Sequence, residues 1–291
     1  MTTLIDSDSI CDINCQAKIH SMISKLGQEQ RAHYSRNGFV FPLKAITVEH
    51  ANRCNDYLQS YAAEELAQLT YPWRYKSYLL FTWVYDLVTH PRILDAVESV
   101  LGPDLRVLSA DIWDKPPSKT RYISWHQDAS YWLMNPLEIT TVWIALTPTT
   151  PENGCMQFIP GSHTNGLHIH VESDADENIL SKGQSIDHLI DKDTAVCCEL
   201  KPGEFSMHSP LLAHASGPNH TSTPRIGIAI RYLSASVTQI EDPPLSCLLV
   251  RGNDPGLCSL ENRPDQDLSD RAKREHHKWL KPHAATQFVC M

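Results

Sequence analysis

From Leu105 onward the hydrophobic pattern shortens to a period of two and breaks into brief runs. These are Leu105 to Trp113, Tyr122 to His126, Thr141 to Leu146, Cys155 to Ile159, Val196 to Leu200, Glu204 to Met207 and Arg225 to Leu233. Such runs read as short strands, because successive side chains on a strand point to opposite faces. Turn chemistry separates many of them, at Glu152-Asn153-Gly154, Pro160-Gly161 and Lys201-Pro202-Gly203. No strand-helix alternation accompanies them, which argues against a parallel sheet. Many short strands after a block of helices predict a mainly β fold with helical buttresses, a jelly roll or double-stranded β-helix of cupin-like type.

The helical block precedes the strands. Periodicity predicts a helix over 17–34 with Ile19, Met22, Ile23 and Leu26 on one face, ended by Gly38. A second is expected over 48–66, with Cys54, Leu58 and Tyr61 as its stripe. The third opens with Pro91 in its first turn, turns Ile93, Leu94, Val97, Val100 and Leu101 inward, and stops at Gly102. At 291 residues the chain fits one domain over 1–291. Its expected parts are a helical section over about 16–102, the jelly-roll core over about 105–240 and a tail over about 241–291.

Three polar residues in the strand region need a reason to be there. Ser124-Trp125-His126-Gln127-Asp128 carries a His-x-Asp pair, a second histidine lies far downstream at His214, and Arg225 follows it by eleven positions. On an extended strand His126 and Asp128 point the same way and Gln127 turns from them. Two imidazoles and one carboxylate can take one face of an octahedral iron. The opposite positions are then open to a chelating cosubstrate, water and dioxygen. A His-x-Asp triplet alone is weak, since short motifs arise freely. The apolar and aromatic wall of Tyr122, Ile123, Trp125, Tyr131 and Trp132 strengthens it.

With these residues in view, the chain resembles the phytanoyl-CoA hydroxylase (PhyH) family of iron(II)/2-oxoglutarate dioxygenases, which includes ectoine hydroxylase. The matching phrases are Trp125-His126-Gln127-Asp128 with Tyr131-Trp132, Glu152-Asn153-Gly154-Cys155-Met156, Pro160-Gly161-Ser162-His163, His214 with Ser216-Gly217-Pro218-Asn219, and Pro224-Arg225-Ile226-Gly227. The resemblance implies His126, Asp128 and His214 as iron ligands. It also implies Arg225 as the partner of the distal carboxylate of 2-oxoglutarate, with Ser216 beside it. Fe(II), 2-oxoglutarate and O2 follow as cofactor and cosubstrates, with ascorbate supporting activity in vitro. The implied reaction hydroxylates an unactivated C–H bond and converts 2-oxoglutarate to succinate and CO2. The carboxylate of Asp128 points to hydroxylation, or to desaturation or ring formation, because related halogenases lack it.

The remaining positions stay open between roles. Lys115, Thr141 and Trp143 are candidates for steadying the C1 carboxylate of 2-oxoglutarate, and Lys115 reads equally as a surface residue of a Pro-rich turn. Tyr131 and Trp132 are candidates for the substrate pocket, with core packing as the equal alternative. His208 rivals His214 as the distal ligand, although the phrase after His214 favours the latter. The polar stretch over 164–193 is long for a compact domain and is expected to be a lid. Its His168 and His170 read more readily as polar surface than as a metal pair.

Charge narrows the partners. A net charge of −9 with no basic block disfavours nucleic acid and anionic membranes, and favours a small-molecule substrate. Nine cysteines are an odd number, and the segment Met1 to Cys15 carries acids and no apolar run, so a cytoplasmic chain with reduced thiols is expected. A specialised metabolite or amino-acid-like compound is the expected substrate class, with an acyl-CoA as the alternative. Two other readings are a jelly-roll binder without chemistry and a metal enzyme independent of 2-oxoglutarate. Both leave Arg225 unexplained.

Overall fold

The computed structural model describes residues 25–132, 134–172, 175–180, 183–240 and 246–283. The first helix, α1 (Gln28–Asn37), starts later than its periodicity predicts. Gly27 is extended and caps it, so no continuous helix runs over 17–34. Ile19, Met22 and Ile23 lie outside the described residues. Gly38 ends α1 in the left-handed region at φ 83°, where its N–H reaches the carbonyl of Tyr34.

Strand β1 (Phe39–Lys44) follows, then α2 (Val48–Ser60) and α3 (Ala63–Ala67). The single helix expected over 48–66 is therefore two. Tyr61 turns extended between them, and its hydroxyl donates to Asp267 while accepting from the indole of Trp83. A tertiary hydrogen bond thus overrides local helical pattern. Helices α4 (Thr82–Val88) and α5 (Pro91–Leu101) complete the block, α5 with the start, stop and buried Ile93, Leu94 and Val97 read from sequence.

The strands are β2 (Leu105–Lys115), β3 (Ile123–His126), β4 (Met134–Asn135), β5 (Ile139–Ala145), β6 (Met156–Phe158), β7 (Val196–Cys198), β8 (Glu204–His208) and β9 (His214–Ser216). They continue with β10 (Arg225–Ser234), β11 (Thr238–Gln239), β12 (Ser246–Arg251) and β13 (Ser259–Leu260), and α6 (Asp270–Leu280) closes the described chain. A seven-stranded sheet runs β1-β8-β5-β10-β2-β12-β13, and a four-stranded sheet runs β3-β9-β6-β7. A two-stranded ribbon pairs β4 with β11. Every pairing is antiparallel except β12 with β13, which is the jelly-roll signature expected.

The period of two places the site. Along β10, Ile226, Ile228, Ile230 and Tyr232 join the core formed with Val84, Leu87, Ile93 and Val97 of the helices. The alternate residues Arg225, Ala229 and Arg231 line a cavity on the opposite face. The same split holds on β5, with Val142 and Ile144 in the core and Thr141 and Trp143 at the cavity. Each buried branched side chain contributes roughly 1.5–3 kcal/mol. The helix-facing half of β5 and β10 thereby holds the cavity-facing half in place.

The tail supports the sheet rather than hanging from it. β12 pairs with β2, and Glu261 is buried where Lys76, Tyr78 and Ser246 all donate to it. Among the described residues no helix is long and apolar enough to cross a membrane.

Candidate metal centre

β3 ends at His126, β9 begins at His214, and the two are direct partners across the antiparallel pair. Opposed residues of such a pair stand close, and here the imidazole centroids are 4.1 Å apart. Nδ1 of His126 lies 2.9 Å from the carbonyl of Ser124, and Nδ1 of His214 lies 3.0 Å from that of Leu212. A carbonyl can only accept, so each Nδ1 donates and each Nε2 keeps its lone pair.

Asp128 completes the set. Gln127 stays extended (φ −120°, ψ 128°) and Asp128 opens a short 3-10 turn, Asp128–Tyr131, so the expected alternation persists just past the strand end. One carboxylate oxygen lies 3.8 Å from Nε2 of both His126 and His214. The other accepts from the Thr141 hydroxyl at 2.8 Å. Donor atoms of all three residues lie within 4.8 Å of one another. That spacing fits donors each about 2.0–2.2 Å from one shared ion, after a small contraction.

Electrostatics prepare the same set. Burial holds His126 down to about 3 and His214 to about 4, so both rings are neutral at pH 7. Burial alone would raise Asp128, but His208, His214 and Arg231 around it keep its carboxylate well below the usual range. Two neutral imidazoles and one anion are what a divalent first-row ion takes without releasing protons.

Gln127 turns away, as expected, and is fully buried. Its amide nitrogen donates to the carbonyls of Gly166 (2.8 Å) and Leu211 (2.7 Å), and its oxygen accepts from the N–H of His168 at 2.8 Å. Its backbone N–H donates to Nε2 of His170 at 2.9 Å, while Nδ1 of that ring donates to the carbonyl of His168. The His170 ring is therefore committed to the backbone on both sides, which corrects its reading as polar surface, while His168 takes part through its backbone alone. They tie the segment after Gly166 to the residue between the candidate ligands.

Arg225 is 2% exposed, and its guanidinium donates to the carbonyl of Gly154 and lies 5.2 Å from the Trp143 ring. No carboxylate pairs with it among the described residues, and its Nε is buried without a partner. Burial brings it down to about 10. A buried fork without a counter-anion fits a dicarboxylate entering the cavity. Gly227 makes room for the arrangement, since a Cβ there would meet Trp143 at 2.2 Å.

Ser216 lies beside Arg225 and lines the cavity, its hydroxyl donating to the Gly154 carbonyl. Lys115 donates to the Ser216 hydroxyl at 2.7 Å and to the carbonyls of Ser216 and Gly217. It does not line the cavity and is buried, which corrects both the surface reading and the direct C1 contact. Thr141 spends its proton on Asp128, while Trp143 lines the cavity beside Arg225.

The cavity holds about 180 Å³ and runs past the triad to a second polar end. There Arg231 pairs with Asp111, and Tyr75 and Ser109 join the lining. Tyr131 and Trp132 line it as well, and Ile179 and Leu180 enter from the long loop. His208 is 1% exposed, 3.6 Å from the Asp128 oxygen that Thr141 binds, and its ring nitrogens have no hydrogen-bond partner. It faces the cavity without joining the triad. Sequence reading missed Arg231 and Asp111. Period two from Arg225 would have found the first, and an acid inside the apolar run Leu105 to Trp113 the second.

The comparisons agree with this geometry. The family profile described as phytanoyl-CoA dioxygenase (PhyH) matches residues 79–227. A probable alpha-ketoglutarate-dependent hypophosphite dioxygenase of Stutzerimonas stutzeri is 29% identical over 159 residues, 54% of this chain and 55% of that protein. The peroxisomal phytanoyl-CoA dioxygenase of Homo sapiens is 29% identical over 162 residues, 54% of this chain and 48% of that protein. The chain thus spans about half the length of the curated relatives it matches. Among solved structures, the non-heme monooxygenase ThoJ in its apo form superposes with a TM-score of 0.76 at 34% identity, covering 88% of this chain and 96% of that one.

Proposed function

The chain belongs to the phytanoyl-CoA dioxygenase (PhyH) family, and on that premise we propose that it is an iron(II)- and 2-oxoglutarate-dependent dioxygenase hydroxylating an unactivated C–H bond of a small molecule. One observation carries the reading. The Nε2 atoms of His126 and His214 and a carboxylate oxygen of Asp128 converge in a cavity that also contains an arginine with no counter-anion among the described residues. Iron(II) bound there, with 2-oxoglutarate and dioxygen, supplies the oxidising chemistry and releases succinate and CO2.

The chain's own residues do the positioning. His126 and His214 hold the metal through nitrogens whose partners across each ring are already fixed by backbone carbonyls. Thr141 keeps one Asp128 oxygen occupied and so aims the other at the metal. Arg225 takes the distal carboxylate of 2-oxoglutarate, with Ser216 at its side, and Lys115 braces the Ser216 turn from behind. Asp128 fills the position that chloride needs in halogenases, which supports hydroxylation over halogen transfer.

The cavity's size supports a compact substrate. About 180 Å³ sits below the roughly 300–1,000 Å³ of drug-sized pockets and must also admit 2-oxoglutarate, so a whole CoA thioester does not fit within it. The Arg231–Asp111 pair at its far end supports a polar, amino-acid-like or specialised metabolite held near Tyr131 and Trp132. The reading treats the described chain as a single domain working in a reducing cytoplasm. Its continuous helix-sheet core supports the first, and its described cysteines, all free, support the second.

The test is incubation with iron(II), ascorbate and 2-oxoglutarate over a fractionated metabolite pool, followed for succinate and for substrates gaining one oxygen. Succinate coupled to one such gain is expected. No succinate in any fraction, together with no binding of 2-oxoglutarate to metal-loaded protein, sinks the proposal.

A further inference from the structure

Arg106 on β2 is 1% exposed and carries no carboxylate partner among the described residues. Its Nη2 donates to the carbonyls of Ala235 and Val237, both at 2.6 Å, and its Nη1 reaches the sulfur of Cys258 at 2.9 Å. A buried guanidinium needs negative charge close by, and two neutral carbonyls supply only dipoles. The Cys258 sulfur is the contacting atom able to become an anion.

A second thiol stands next to it. Cys247, 5% exposed on β12, belongs to the apolar cluster against which Cys258 packs. Both residues line a cavity of about 230 Å³ with Arg106, Met134, Val237 and Leu257. Cys258 is only partly buried, between exposed Leu257 and Ser259, so a small solute reaches it. We propose that Cys258 and Cys247 form a peroxide-reactive dithiol, Cys258 attacking as the thiolate and Cys247 resolving the product to a reversible disulfide.

The chemistry balances with a hydroperoxide as oxidant. The Cys258 thiolate attacks the outer oxygen of the hydroperoxide, forming an S–O bond and breaking O–O. The inner alkoxide or hydroxide leaves and takes one proton to become alcohol or water, and Cys258, keeping the outer hydroxyl, becomes a sulfenic acid. The Cys247 sulfur then attacks that sulfenic acid, an S–S bond forms, the S–O bond breaks, and the hydroxyl departs with the Cys247 proton as water. The dithiol has lost two electrons and the peroxide has gained them.

The groups facing Cys258 explain its selectivity. Hydrogen bonds from Cys247 and Arg106 and the guanidinium's charge outweigh burial and nearby Asp254, bringing Cys258 down to about 7. By contrast, burial pushes Cys155 up to about 12 and the nearby Cys197 adds to the rise, which makes that pair an internal control. The pair also packs on Trp132 and Met134, the segment leading away from Asp128, so its redox state adjoins the wall of the candidate site.

The experiment treats the purified full chain, reduced and freed of reductant, with one equivalent of hydrogen peroxide in the presence of a chelator. The expected result is a mass loss of about 2 Da, reversed by dithiothreitol and mapped to a Cys247–Cys258 cross-link. In Cys247→Ser the cross-link disappears and dimedone captures Cys258. In Arg106→Met, with folding checked by circular dichroism, the pH midpoint of Cys258 alkylation rises from near 7 by at least about one unit. A cross-link at Cys155–Cys197 instead, or no dimedone adduct on Cys258 in folded Cys247→Ser, overturns the proposal.

Discussion

Replacing Arg225 by methionine separates two roles that a buried arginine usually confounds. Its Nη1 is committed to the Gly154 carbonyl, while among the described residues Nε has no partner and no carboxylate pairs with the group. The cofactor-free protein therefore carries an uncompensated buried charge, and a side chain of similar volume removes that penalty. With 2-oxoglutarate bound, the same fork supplies two charge-assisted hydrogen bonds at roughly 1.5–3 kcal/mol each. Allowing for non-additivity, the loss is about 3 kcal/mol, or roughly 150-fold in Kd. Lys115 is held by Ser216 and Gly217 and does not substitute. Calorimetric titration of 2-oxoglutarate into manganese(II)-loaded protein reads the affinity, and urea unfolding of metal-free protein reads the stability. Arg225→Met is expected to bind about 150-fold more weakly while unfolding at an equal or higher urea concentration. Binding weakened less than about fivefold, or metal-free protein destabilised by more than about 3 kcal/mol, refutes the assignment of a carboxylate to this guanidinium.

Thr141→Val removes the hydrogen bond that fixes Asp128 and is expected to weaken nickel(II) or iron(II) binding by about 10–100-fold in a metal titration, with Thr141→Ser restoring it. His126 and His214 are held near 3 and 4 in the folded chain, so below the ordinary 6.5 the unfolded chain takes up protons first, and stability falls as pH drops from there toward those values. Urea midpoints of metal-free protein should therefore decline between pH 7 and 5, by on the order of 2 kcal/mol per histidine, and a flat profile would contradict their buried, neutral state. The depressed Asp128 contributes its own loss only at lower pH, as its carboxylate protonates. Glu261→Ala strands the buried Lys76 ammonium and should cost about 3–5 kcal/mol in denaturant unfolding, with a smaller cost for the double change Lys76→Met/Glu261→Leu.

Much of this was legible in the chain because two periodicities carry it. The alternation from Leu105 onward located most of the large sheet's strands, and the His126-x-Asp128 spacing survived one residue beyond the end of β3. Where local pattern competed with a distant partner, the pattern lost. Tyr61 left its helix for Asp267, and Lys115 turned from a Pro-rich loop into a buried brace for Ser216. Short β9 escaped notice because three residues show no period, although its register with β3 is what sets His214 opposite His126. The polar end of the cavity, Asp111 with Arg231, depends on strand pairing between β2 and β10 that no single window of sequence contains.

Gln127 gives the long loop a mechanical part in the site. Three of its hydrogen bonds reach Gly166, His168 and His170, and together they contribute about 3 kcal/mol to holding that stretch. The latch belongs to the residue lodged between two metal-facing side chains. A shift of the 166–170 stretch would therefore pull on the one residue that joins His126 to Asp128, and strain applied to that loop would be felt as altered spacing between the two donors.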